Sequence, residues 1–134
     1  MQPDKTVQPE LDSALQQRKL AESITLEIVR DALRNELARK DIAQASAGIS
    51  ADFNYCELRK DVVDSSAAFY GEWWDARGGK IGSVIVHATG EFFAEYDVLV
   101  NHPTDKRWFV EAVTAWGRPG VVKAELQLLE ALPA

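Results

Sequence analysis

The chain predicts an α+β fold, with one long N-terminal helix packed on a five- to six-stranded antiparallel β-meander. Three observations predict it. Residues 10–40 repeat apolar groups at three- and four-residue steps with no Gly or Pro among them, the period of an amphipathic helix. From Phe53 onward apolar and polar residues alternate in short runs, the period of a half-buried strand. Turn-forming residues separate these runs and no helical pattern intervenes, so sequence neighbours pair as hairpins.

Residues 1–9, with Pro3 and Pro9, read as a flexible lead, and residues 10–134 as a single domain. Within the helix Ala21, Ile24, Ile28, Ala32, Leu33 and Leu37 form the apolar stripe. Asp12 or Ser13 offers an N-cap, and Arg39-Lys40 suits the negative end of the helix dipole. The small residues from Ala43 to Gly48 dissolve the pattern.

Strands follow over residues 53–59, 68–76, 81–88, 91–101 and 107–116. Asp64-Ser65-Ser66, Arg77-Gly78-Gly79-Lys80, Thr89-Gly90 and the loop His102 to Lys106 join them. Pairing inside a strand sends the adjacent Trp73 and Trp74 to opposite faces. After Gly117-Arg118-Pro119-Gly120, ordered as a type II turn prefers, the tail reads two ways. Val122, Ala124, Leu126 and Leu128 alternate as in an edge strand, whereas Lys123 to Leu132 are good helix formers. A strand through Leu126 fits the alternation better.

Length and composition suit one globular domain: 134 residues, 46% hydrophobic and 27% charged. The net charge of −6 is unevenly placed. Residues 1–40 hold seven basic and seven acidic groups, residues 41–134 eight basic and fourteen acidic. Such a surface repels nucleic acid and anionic membrane and suits a basic partner or a cationic ligand. No apolar run reaches the ~18 residues of a membrane span. The single cysteine, Cys56, cannot form an intramolecular disulfide, so a reducing, cytoplasmic setting is expected.

The hairpin from Thr89 to Trp116 carries the most information. Phe92, Ala94, Tyr96, Val98 and Val100 share one face; Glu91, Phe93, Glu95, Asp97 and Leu99 share the other. Matching Val98 to Val110 and Tyr96 to Ala112 maximises apolar pairing. It places Trp108, Val110, Ala112 and Trp116 under the helix and Asp97 opposite Glu111. Facing carboxylates repel, so one titrates late. With outward aromatics the result is a candidate binding face of Trp73, Trp74, Phe93, Glu95, Asp97, Phe109 and Glu111. The plainer reading is a solvated sheet face, or a second small core closed by sheet curvature or by Ala43 to Ile49 folding over it.

Elsewhere the chemistry is thin. Cys56, His87 and His102 lack metal-ligand spacing, so neither a metal nor a cofactor is expected. Arg77-Gly78-Gly79-Lys80 fails the phosphate-loop pattern, because Ile81 stands where Ser or Thr is needed. No G-x-S-x-G occurs, and no catalytic residue is assigned. The helix-and-sheet plan resembles cystatin-like and nuclear-transport-factor-like folds and small acidic secretion chaperones, a likeness of fold that does not fix function. The expectation is a non-catalytic protein-interaction module, with a homodimer or another protein as partner. A small-ligand binder or acid/base enzyme with a curved-sheet pocket is the alternative.

Overall fold

The computed structural model describes residues 9–60 and 67–130. The flexible lead at residues 1–8, the turn expected at Asp64-Ser65-Ser66 and the residues after Glu130 lie outside the described residues. The long helix is two segments, α1 (Pro9–Ala21) and α2 (Ser23–Arg39). Glu22 breaks the run at φ −92° and ψ 5°. The backbone bonds on either side persist, Glu22 N to the Arg18 carbonyl at 2.9 Å and Leu26 N to the Glu22 carbonyl at 2.8 Å. The break lets α1 pack on one end of the sheet and α2 on the other. Asp12 and Ser13 fall inside α1 rather than at its start.

The buried face of α2 is Leu26, Val29, Leu33 and Leu37, with Thr25 and Glu36. The apolar stripe is therefore rotated from the one expected, and Ile24 is exposed. The helix ends in a Schellman motif. Ile42 N donates to the Leu37 carbonyl at 2.9 Å and Asp41 N to the Ala38 carbonyl at 3.1 Å, with Asp41 left-handed at φ 63°. The motif turns the chain so that Ile42, and Ile49 beyond the 3₁₀ turn Ala43–Ser46, enter the core.

Six strands follow, β1 (Tyr55–Lys60), β2 (Ala67–Trp74), β3 (Lys80–Val86), β4 (Phe92–Asn101), β5 (Trp108–Arg118) and β6 (Val121–Glu130). They form one antiparallel meander in chain order, so β1 and β6 are its edges. Phe69, Trp73, Val84, Val86, Phe92, Ala94, Tyr96, Val110, Val113 and Ala115 meet the helices in one core. Each large side chain so buried contributes about 1.5–3 kcal/mol. α1 is tied to this layer by Arg18, whose guanidinium donates to the carbonyls of Ala67 and Val86 at the ends of β2 and β3.

Two departures from the expected sheet have physical causes. The ambiguous tail is strand over its whole described length, because Ala124 and Leu126 pack on the core beside β5. Pro119-Gly120, with Gly120 at φ 93°, closes that hairpin between the paired residues Arg118 and Val121. The β4–β5 register also differs from the one that simple apolar matching selects. Tyr96 pairs with Val113 and Asp97 with Ala112, and beyond the irregularity Val100 pairs with Val110. Val98 and Leu99 therefore oppose the single residue Glu111, and Leu99 takes a left-handed φ of 54°. Against β6, Val110 pairs with Leu128 and Ala112 with Gln127, so Glu111 is an extra residue of β5, and it shifts the parity of that strand. It sends Ala112 and Trp116 to the face away from the helices while Val110 and Val113 both stay beneath them.

Candidate binding face

Strand alternation divides the large residues of the sheet between its two sides, and the side away from the helices carries the candidate face. The tryptophan pair sorts as the pleat requires. Trp73 points into the core at 2% exposure, donates Nε1–H to the Ser50 carbonyl at 3.0 Å and meets Tyr96 edge-on at 5.8 Å. It is therefore a core residue and leaves the candidate set. Gly82 makes room for it, since a Cβ there would come within 2.8 Å of the Trp73 ring. Trp74 is the outward partner. The segment Ala43 to Ile49 does not fold over the outer face, because Ile42 and Ile49 are consumed by the core on the helix side.

The β1–β3 half of the outer face is a closed network. Tyr55 donates to Glu57 at 2.9 Å, and Arg59 donates to the other oxygen of Glu57. The Arg59 guanidinium lies 3.4 Å above the Tyr70 ring. Tyr70 donates to Glu72 at 2.6 Å and Trp74 Nε1–H donates to its other oxygen at 2.7 Å. Tyr55 and Trp74 stack at 6.1 Å with their planes 12° apart. These contacts hold both carboxyls below the usual range, Glu57 through Arg59 and then Tyr55, Glu72 through Tyr70 and then Trp74.

The β4–β6 half is assembled differently. Phe93 pairs across strands with Trp116, Glu95 with Thr114, and Thr114 in turn with Glu125. Phe93, Thr114, Trp116, Glu125 and Gln127 line an open groove of about 340 Å³. Gln127 donates to Glu95 at 3.0 Å. Phe93 is 48% exposed. Asp97 lies farther along β4, and its carboxyl is held above the usual range by desolvation, then by Glu95 and Glu111, against the pull of Lys80. Phe109 pairs with Leu129 of β6 at the far end of this half.

Of the seven residues the sequence points to, Phe93, Glu95, Asp97, Phe109 and Glu111 thus belong to the β4–β6 half, Trp74 to the β1–β3 network and Trp73 to the core. The carboxylate pair expected across the strands is changed in detail. Ala112 stands opposite Asp97, and Glu111 reaches it from the bulge. Trp116, Glu125 and Gln127 join the groove unanticipated. The signal for the last two was present, because alternation from Lys123 to Gln127 puts them on one face once the tail is read as strand. Trp116 was hidden by the bulge.

Among the described residues no group of three His, Cys, Asp or Glu side chains is arranged to hold a metal ion, and no helix is long and apolar enough to cross a membrane. His102 is used locally. Its Nδ1 accepts from the backbone N–H of Thr104 and of Asp105 at 3.2 and 3.0 Å, while Asp105 is held at about 2 by Arg107. Comparison of the chain with protein-family models, with curated proteins and with solved structures found no match.

Proposed function

We propose that the protein is a non-catalytic interaction module whose β4–β6 outer surface takes a basic segment of a protein partner. One observation carries the reading: a half-exposed aromatic, Phe93, borders an open groove beside Trp116 and Glu125, with Glu95 and then Asp97 following it along β4. An apolar anchor from the partner would seat on Phe93 and Trp116, and Lys or Arg beside it would meet the acids. Asp97 adds to this, since a nearby cation favours the ionised form that desolvation, and then Glu95 and Glu111, disfavour. The same acids oppose pairing of the face with its own copy, so a homodimer would have to use another surface. The unpaired Cys56 keeps a cytoplasmic setting within this reading.

The test is a calorimetric titration with a synthetic peptide rich in Lys and Arg that carries a single Leu. Binding is expected to weaken steeply with salt, to fall roughly tenfold in Phe93→Ala, and to fall again in Asp97→Asn. A peptide with Asp and Glu in place of the basic residues should not bind. Equal binding of the two peptides, or no change in Phe93→Ala, would sink the reading.

A second reading, a small-ligand site with acid/base chemistry, is favoured by the raised carboxyl of Asp97 beside Glu95 and Glu111. Carbon-detected NMR of the three carboxyls with and without a small amine such as spermidine tests it. A saturable shift confined to them supports this reading, and titration unaltered by the amine removes it.

A further inference from the structure

Edges of sheets are places where chains meet, and the two edges of this one differ. β1 has six residues, and Glu57, Arg59 and Lys60 put charge along it. β6 has ten residues, with Val121, Val122, Leu128 and Leu129 exposed and no proline inside the strand. A long edge with exposed apolar residues and no proline is a template for another strand. Above it runs a groove of about 470 Å³ between β6 and α2, lined by Ile28, Asp31, Asn35, Arg39, Val122 and Ala124 among others.

We infer that β6 is the seam of a twofold homodimer, paired antiparallel with β6 of a second copy about Ala124, with the second copy's α2 closing the groove. Charge selects both the occupant and the register. A two-residue turn is closed by a hydrogen-bonded pair, here Arg118 and Val121. By the alternation of antiparallel ladders, Lys123, Glu125 and Gln127 then bond to β5, while Val122, Ala124 and Leu126 present their amides to the edge. Registers that use those amides differ by which residue sits on the axis. Placing residue 123 there faces Lys123 with itself, and placing residue 125 there faces Glu125 with itself. Placing Ala124 there sets Lys123 opposite Glu125 of the second copy, twice, and Val122 opposite Leu126. Like charges directly opposed are destabilising and opposite ones stabilising, so Ala124 is the favoured centre.

The helix above repeats the pattern independently. Asp31, Asn35 and Arg39 are spaced by four residues and all line the groove. Antiparallel to its copy about Asn35, α2 sets Asp31 against Arg39 of the second copy. Within one chain Asp31 pairs with Arg30 and Arg39 with Glu36, so the new pairs would extend existing ones. Two self-complementary charge patterns flank one groove, which is what an isologous interface requires.

This seam shares Glu125 with the groove beside Phe93 but does not involve Phe93 itself, and it stands whether or not that surface binds a basic segment. Sedimentation equilibrium on the full chain, with the single swaps Lys123→Glu and Glu125→Lys and with the two combined, tests it. The expected result is a dimer that each single swap weakens at least tenfold and that the combined swap restores, because reversed pairs re-form in the same register. Circular dichroism identifies any variant that fails to fold, and Ala124→Pro, which removes an amide facing the edge, then serves in its place. A monomer at about 100 μM, a free energy of association weaker than about −5.5 kcal/mol, overturns the inference. So does a dimer indifferent to the single swaps, or a combined swap that leaves association weakened. Loss of the Phe93-dependent peptide binding with the dimer intact would instead count against the proposed function alone.

Discussion

The two halves of the outer sheet face are built from similar residues and behave as different surfaces. In the β1–β3 half, Tyr55, Tyr70 and Trp74 stand beside Glu57 and Glu72, and Arg59 is placed among them, so carboxylates meet donors and the guanidinium meets a ring. In the β4–β6 half, Phe93, Phe109 and Trp116 stand beside Glu95, Asp97, Glu111 and Glu125. Here the nearby cations are Lys123 at the edge and Lys80 from the neighbouring strand. Composition does not separate the halves. The position of the donors does, because Glu57 and Glu72 each meet two of them, whereas Gln127 gives Glu95 one and Asp97 lies beside other carboxylates.

The comparison breaks most visibly on its aromatic residues. Tyr70 is buried in its network, so Tyr70→Ala should cost on the order of 3 kcal/mol, the usual cost of emptying an aromatic site. Urea denaturation measures it, and basic-peptide affinity should be unchanged. Phe93→Ala should cost under about 1 kcal/mol of stability, as expected of a residue that water already reaches, yet lose peptide binding. If Phe93→Ala proved the more destabilising, the β4–β6 half would be a core in its own right and the division would fail.

Proton binding sharpens the contrast at smaller amplitude. The carboxyls of Glu57 and Glu72 lie below their ordinary 4.5 in the folded chain, so the unfolded state binds more protons. Their contribution is complete above pH 4.5 and is lost as pH falls through the folded values. Glu72→Gln should remove part of that acid sensitivity and cost about 1 kcal/mol at neutral pH, the loss expected when a charged acceptor becomes neutral. Stability curves between pH 3 and pH 6 decide it, and an unchanged acid limb in Glu72→Gln would show that the network is ornamental.

How far these differences were legible in the sequence follows from their causes. Fold class was readable, because periods of 3.6 and 2 reflect which side of an element is covered. The opposed faces of Trp73 and Trp74 were readable too, although which one faces the helices depends on β2 register, a tertiary fact. Glu22 breaks the helix without Gly or Pro, since the sheet beneath needs cover at both ends. The bulge opposite Glu111 is recorded by no turn residue. It trades strained backbone at Leu99 for placing Val110 and Val113 together under the helices, and it delivered Trp116 to the groove and Glu111 to Asp97. The Arg59–Tyr70 and Glu72–Trp74 contacts depend on side-chain reach within and between strands, which alternation alone does not rank.

The smallest effect is the most discriminating, because its sign is opposite to that of the β1–β3 half. Asp97 lies above its ordinary 3.8 in the folded chain, so here the native state binds more protons than the unfolded one. The ionised carboxyl is then a cost that is absent below pH 3.8, grows as pH rises through the folded value and is complete above it. Asp97→Asn should therefore stabilise the protein at neutral pH, by less than about 1 kcal/mol because water and salt screen the site, and should change nothing near pH 3. The gain should shrink with added salt, and should also shrink, leaving the part due to desolvation, when Asp97→Asn is made in a Glu95→Gln, Glu111→Gln background. A surface kept at a cost in stability, and relieved by a cation, is what a site for a basic partner requires. Destabilisation by Asp97→Asn at pH 7 would mean that its carboxylate is held by a donor, as Glu72 is, and the two halves would then be alike.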